Sequence, residues 1–269
     1  MKNFKDKNIV ITGAGSGMGR CMSIELAGKG ANIIASDLNK KGLEETAELV
    51  RKSNGIIYTY QVDVGKEAAV FAFAEKVIKE HGHVDVLINN AGFALGKINF
   101  NSLNMNDFHK IMDVNFWGVV NHTKAFIDNL LTRPEASIVN ISSLFGIIGV
   151  ADQVPYCTSK FAVKGFSEAL RMELMETKVV VTCVHPGGIK TNIAKNAIHY
   201  GDNEILSKFE KRALRIPAEE AASQIINSIK NKQERLLIGS EVYMADSLVR
   251  TSPVGYGKVL KFIMDKAMQ

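Results

Sequence analysis

Asn8-Ile9-Val10-Ile11-Thr12 runs without a break into Gly13-Ala14-Gly15-Ser16-Gly17-Met18-Gly19, and a helical pattern follows over residues 18–29. The first five residues are too short a run for a helix and suit a strand buried on both faces. Glycine at every second position from 13 to 19 permits a tight turn and close approach of the backbone to a bound group. The helix that follows opens on free N–H groups, which favour a phosphate. A plain strand-to-helix turn also uses glycine, so the loop by itself leaves both readings open. The frequent G-x-G-x-x-G spacing is absent, because its third position falls on Met18; the spacing present is T-G-x-x-x-G-x-G over residues 12–19.

Working outward, β-rich runs at residues 32–36, 56–62, 85–89, 137–141 and 179–185 alternate with helical patterns at 40–53, 67–81, 106–131 and 155–177, and residues 236–238 read as a seventh strand. Val179-Val180-Val181 is apolar at consecutive positions, as in strands covered on both faces. This alternation predicts βαβ units in an α/β, Rossmann-type, doubly wound parallel sheet with helices on both faces. No linker, repeat or low-complexity stretch divides the chain, so residues 1–269 read as a single domain.

Hydrophobic residues make up 46% of the 269 and charged residues 23%, enough for a sizeable core. The net charge of +5 is spread along the chain and does not gather with aromatics, which argues against a nucleic-acid partner. Cys21, Cys157 and Cys183 form an odd, sparse set that fits a reducing compartment. With no apolar run long enough to span a membrane and no secretory leader, the expectation is a cytoplasmic protein. The six histidines, 81, 83, 109, 122, 185 and 199, show no metal-ligand spacing and read as surface or structural; no metal is expected.

The remaining motifs fall in a fixed order. Asp37 ends the second strand, Asp63-Val64 follows the third, and Asn89-Asn90-Ala91-Gly92 closes the fourth. Asn115 lies in Val114-Asn115-Phe116-Trp117-Gly118, Ser142-Ser143 closes the fifth strand, and Tyr156-Cys157-Thr158-Ser159-Lys160 follows. Pro186-Gly187-Gly188-Ile189-Lys190-Thr191 comes after the sixth strand. In this order the motifs resemble the classical short-chain dehydrogenase/reductase family over about the first two hundred residues. The resemblance implies a catalytic set of Asn115, Ser143, Tyr156 and Lys160, with Ser143 chosen over Ser142 by its thirteen-residue lead on the tyrosine. It implies NAD(P) contacts from Gly13, Ser16, Gly17, Met18 and Gly19, from Asp37, Asp63 and Val64, and from Asn90, Ala91 and Gly92. Tyr156, Lys160, Pro186, Gly187, Ile189 and Thr191 complete that set.

Tyr156 and Lys160 are four apart and share a helix face. A tyrosine has a pKa of about 10, and bringing it to about 7 takes roughly 4 kcal/mol, which a nearby ammonium in a partly dry site can supply. On this reading Tyr156 is the base for alcohol oxidation and the acid for carbonyl reduction, while Ser143 holds the substrate oxygen. The family uses Asn115 to hold a water that links Lys160 to solvent. Asn115 is also a poor helix former inside a helical pattern, so a local kink is the structural alternative. Asp37 suits the two adenosine ribose hydroxyls of NAD and opposes the 2′-phosphate of NADP; a helix cap for the stretch that follows is the structural alternative, and Lys40 and Lys41 are near enough to soften the repulsion. The position where NADP-preferring relatives place a base is the uncharged Ser16, so NAD is expected, with NADP as the alternative.

Residues 190–215 fall where the family has a substrate lid; Ile193, Ile198, Tyr200, Ile205, Leu206, Phe209 and Leu214 make it apolar. With the apolar stretches 93–95 and 146–150 they suggest a lipophilic secondary alcohol or ketone as substrate; packing of the lid onto the body is the alternative. The tail, residues 240–269, ends in an apolar, basic stretch that reads as a docked helix, with contact to a membrane surface or a second subunit as the alternatives. The family implies a homodimer or homotetramer through the helices at 106–131 and 155–177. The rival from another class is a catalytically silent dinucleotide-binding regulator, which predicts the loss of one of the four catalytic residues.

Overall fold

The computed structural model describes Met1, residues 3–191 and residues 215–267. The lid expected over residues 190–215, and His199 within it, fall outside the described residues except for Lys190, Thr191 and Arg215.

Strand β1 (Asn8–Thr12) leads through the glycine turn into α1 (Gly17–Gly28), then β2 (Asn32–Asp37), α2 (Lys40–Lys52), β3 (Ile56–Gln61), α3 (Glu67–His81) and β4 (Val86–Asn89). Helix α4 (Met105–Met112), a π-helical turn (Asp113–Trp117) and α5 (Gly118–Leu131) precede β5 (Ala136–Ile141), α6 (Val154–Glu173) and β6 (Val179–Pro186). The short β7 (Ile189–Lys190) and β8 (Ile216–Pro217) pair with each other, and α7 (Ala218–Lys230), β9 (Arg235–Ile238), α8 (Ser240–Thr251) and α9 (Tyr256–Ala267) follow. The main sheet has seven parallel strands in the order β3-β2-β1-β4-β5-β6-β9. The doubly wound α/β architecture is therefore as expected, in one domain.

The central strands explain the two-sided core. Side chains alternate along a strand with a period of two. Ile9 and Ile11 accordingly point to one layer, with Met22 and Leu26 of α1 and Ile225, Ile226 and Ile229 of α7. Val10 points to the other, with Phe73, Val77, Phe126 and Leu130 of α3 and α5. Burying each such side chain contributes about 1.5–3 kcal/mol.

Two departures from the sequence expectation are local. The helix expected to 177 ends at Glu173, where Leu174 and Thr177 close turns onto Leu170 and Leu174. Helix α7 was not anticipated, although Pro217, Glu219 and Glu220 ahead of Ala221, Ala222, Ile225, Ile226 and Ile229 carry both a start signal and a helical apolar stripe. Helix α9 is docked, as expected: Tyr256 and Leu260 pack on the cluster formed by Ile147, Ile148, Leu237, Val242 and Ala245.

Candidate active site

The carboxyl ends of β1, β2, β3 and β4 open on a cavity of about 740 Å³. Gly13, Ser16, Gly17 and Met18 form its floor on the glycine loop, and Thr191 faces them. Gly13 (φ +67°) and Gly17 (φ +51°) hold backbone conformations that L side chains rarely adopt. A Cβ on Gly13 would stand 2.8 Å from the Ala91 Cα, and one on Gly17 would stand 3.2 Å from the Thr191 side chain. Ser16 is the N-cap of α1 but gives no side-chain cap bond, and no acidic residue occupies the first turn. The opening N–H groups of α1 thus face the cavity floor, the arrangement that binds a pyrophosphate. Gly19 lies one turn in, against the Gly13 carbonyl and the Asn90 amide, where any side chain would collide.

One wall is built from the ends of β2 and β3. Asp37 accepts from Gly15 N (2.9 Å) and from Asn39 N (2.8 Å), so its carboxylate is fixed at the cavity edge. It does not cap α2; Asn39 does, accepting from Gly42 N. Asp63 and Val64 line the cavity beyond β3, with Asp63 tied to Gly65 N at 3.0 Å. The opposite wall is Asn90, Ala91 and Gly92. Thr12 Oγ1 accepts from both Asn90 N and Ala91 N, and Asn90 Nδ2 donates to Thr12 O, which locks β4 to β1 at the cavity mouth. The cleft therefore suits a nicotinamide dinucleotide: free N–H groups for phosphates, glycines where a side chain would intrude, and a fixed carboxylate.

Pro186 is the last residue of β6, and Gly187 N donates to Ile238 O at 2.9 Å. Ile189 is buried in β7. These three frame Thr191 and do not themselves line the cavity. Phe93, from the apolar stretch 93–95, lines the cavity as expected, but several lining residues escaped the sequence reading: Leu38, Lys66 and, from α4 and its π-helical turn, His109, Lys110 and Val114. Leu38 and Val114 sit beside motifs already singled out, so adjacency signals them. His109 and Lys110 reach the cavity only because α4 packs beside it, which no local pattern reports.

Beyond the Gly92 wall lies a second cluster. Asn115 is fully buried in the π-helical turn. Its Oδ1 accepts from Phe93 N (3.0 Å), and its Nδ2 donates to Phe93 O (3.0 Å) and Ser159 Oγ (3.2 Å). The π-helical turn thus falls at the residue that the family resemblance singles out, as π-turns often do at sites. Lys160 is 4% exposed, and its Nζ donates to Ile141 O at 3.0 Å. A Cβ on Gly92 would be 3.1 Å from Asn115 Oδ1 and 3.5 Å from Lys160 Nζ, so both lie directly behind this wall, and neither they nor Ser143 and Tyr156 line the cavity itself.

The Ser143 hydroxyl lies beside the Tyr156 phenol and draws its pKa down. Phe145 packs edge-on against the Tyr156 ring at 5.9 Å, and Lys160 Nζ lies 5.7 Å from its centroid. Ser143 caps the turn that follows β5 by accepting from Phe145 N, whereas Ser142 is bound to the Lys160 carbonyl and is structural. Burial pushes the Tyr156 phenol up to about 12, against the opposing pull of Ser143, and burial lowers Lys160 to about 8. This corrects the expected direction for the tyrosine. Above about pH 8 Lys160 is itself neutral, so among the chain's own groups desolvation prevails.

The apolar stretch 146–150 also departs from expectation. Ile147 and Ile148 are buried against α8 and β9, and so anchor the loop instead of lining a pocket. Phe93 lines the cavity with other apolar residues such as Met18, Leu38 and Val114, and Phe145 packs on Tyr156. Among the described residues, no group of three or more His, Cys, Asp and Glu is placed to hold a metal ion. No helix of the described residues is long and apolar enough to cross a membrane.

Known proteins share this arrangement. Residues 7–200 match the short chain dehydrogenase family. A Mycobacterium tuberculosis protein named as an oxidoreductase, SadH, is 41% identical over 97% of this chain and 96% of its own. Mouse epidermal retinol dehydrogenase 2 is 32% identical over 95% of this chain and 81% of its own. The crystal structure of a short chain dehydrogenase/reductase from Burkholderia phymatum in complex with NAD superposes with a TM-score of 0.86, at 25% identity, over 93% of this chain and 95% of the other. The glycine cradle, the seven-stranded sheet and this match over most of the chain lead to one conclusion: the protein belongs to the classical short-chain dehydrogenase/reductase family, and is an NAD(P)-binding oxidoreductase.

Proposed function

We propose that this chain interconverts a secondary alcohol and a ketone, with Tyr156 moving the proton. The observation that carries the reading is the Ser143 hydroxyl beside the Tyr156 phenol, with the buried Lys160 Nζ 5.7 Å from the phenol ring's centroid and directly behind the Gly92 wall of the cavity. When bound, the nicotinamide supplies the hydride acceptor or donor and, in its oxidised form, a positive charge. Ser143 orients the substrate oxygen and shares its charge as the carbonyl polarises. A phenol held near pKa 12 is proton-loaded at neutral pH, the state needed for an acid in ketone reduction. In alcohol oxidation the same phenol must release its proton, which requires added positive charge close by. Lys160 holds the ribose side of the cofactor, and Asn115 braces the 92–93 backbone between the two halves of the site. The silent-regulator reading requires one of these four groups to be missing, and all four are present.

NAD is the proposed cofactor, on the fixed Asp37 carboxylate. A lipophilic substrate is supported by the name of the retinol dehydrogenase relative, by Phe93 and Phe145, and by the apolar composition of residues 190–215. A homodimer or homotetramer through α5 and α6 is supported by the exposure of Trp117, Phe161, Met172 and Met175 beside or along those helices. The sparse, odd cysteine set favours the cytoplasm. The test is a screen at 340 nm of steroids, retinoids, aliphatic alcohols and sugars with both cofactors. Turnover of lipophilic secondary alcohols or their ketones is expected; turnover of none of the four classes would overturn the reading.

A further inference from the structure

His185 lies one residue before the end of β6 and is fully buried. Its Nδ1 is 3.1 Å from the Ser143 carbonyl oxygen, and its Nε2 is 3.5 Å from Cys183 Sγ. A carbonyl only accepts, so the ring carries its proton on Nδ1. Nε2 is then an acceptor, and the Cys183 thiol donates to it. Cys183 and His185 are two apart on one strand and share a face, so β6 presents a thiol–imidazole pair to the end of β5. The same Ser143 carbonyl accepts from Gly146 N at 3.0 Å. One donor comes from the turn that Ser143 opens, the other from the neighbouring strand, and together they set the plane of the peptide that follows Ser143.

We propose that His185 is a positioning residue for Ser143, holding its backbone so that its hydroxyl meets the Tyr156 phenol. An ordinary core histidine satisfies its polar atoms and fills volume. Here one of its partners is the backbone of the residue that touches the proton-transfer group. The imidazole is also held neutral, since burial lowers its pKa to about 4, so the Nδ1–H tautomer persists through the neutral range. The inference rests on the proposed roles of Ser143 and Tyr156.

The test compares wild type with His185→Asn, whose amide can donate near the Nδ1 position, and His185→Leu, which fills the space without a donor. Nitrogen-15 histidine spectra of the wild type are expected to show the Nδ1–H tautomer. Tyrosine labelled at Cζ with carbon-13, with the Tyr156 signal assigned through Tyr156→Phe, reports the phenol's hydrogen bond at pH 7 without any substrate. His185→Leu is expected to move that signal and to lower kcat about tenfold with KM changed less than about twofold, whereas His185→Asn keeps both within about threefold of wild type. An Nε2–H tautomer, an unmoved Tyr156 signal in His185→Leu, or equal damage from Asn and Leu would overturn the proposal. A wild type that turns over no alcohol overturns the functional reading instead, and the two spectra still decide the positioning.

Discussion

Lys160 is expected to destabilise the fold that it serves. Its ammonium is buried, and desolvation lowers its pKa from 10.5 to about 8. A base whose pKa falls on folding binds its proton more weakly in the folded chain. Below pH 8 both states are protonated and the folded one carries the full cost; at 1.36 kcal/mol per pH unit that is about 3 kcal/mol. Between pH 8 and 10.5 the unfolded chain keeps a proton that the folded chain has lost, so the cost is released as pH rises. Lys160→Met keeps the length and removes the charge, but forfeits the bond to Ile141 O, worth about 2 kcal/mol for a charged donor. About 1 kcal/mol of net stabilisation at pH 7 remains, or roughly 2–4 °C in Tm for a chain of this size. Urea unfolding of both proteins from pH 7 to 10.5 measures it. The variant's advantage should shrink above pH 8 and reverse slightly near 10.5, while turnover is lost at every pH. A variant less stable than wild type at pH 7, or an advantage that does not change with pH, refutes the reasoning.

Tyr156→Phe should lower kcat at least about a hundredfold, since the phenol moves the proton, yet leave NADH affinity within about twofold by fluorescence titration; retention of most activity would contradict the assignment. Wild type should show the higher kcat/KM with NAD, and Asp37→Asn, which keeps an acceptor for Gly15 N–H, should narrow the NAD-to-NADP ratio by about tenfold or more. A wild type that prefers NADP removes that argument. Light scattering at micromolar concentration should give a dimer or tetramer of the 29.5 kDa chain; a monomer would sink the interface assigned to α5 and α6.

The order of strands and helices was legible because each element carries its own period. Val10 between Ile9 and Ile11, the glycines at alternate positions of the loop, and the four-residue step from Tyr156 to Lys160 are local patterns, and local geometry reads them directly. Helix α7 was equally legible and was overlooked, since its stripe lies beyond the last recognised motif. Other features had no local signature. Whether Asp37 capped α2 or faced a cavity depended on Asn39 taking the cap. Ile147 and Ile148 looked like a pocket wall and became the loop's anchor only because α8 and β9 cover them. Tyr156 was expected to ionise more readily, and packing of the chain alone opposes that: burial raises the phenol and lowers the lysine four residues on. His185 read as one of six scattered histidines until β6 laid it against the end of β5. Sequence by itself determined which elements form and which chemical groups the chain owns, because periodicity and motif spacing are short-range. Only the tertiary structure decided which groups meet and how strongly burial shifts them, because desolvation and cross-strand contact arise between segments far apart in the chain.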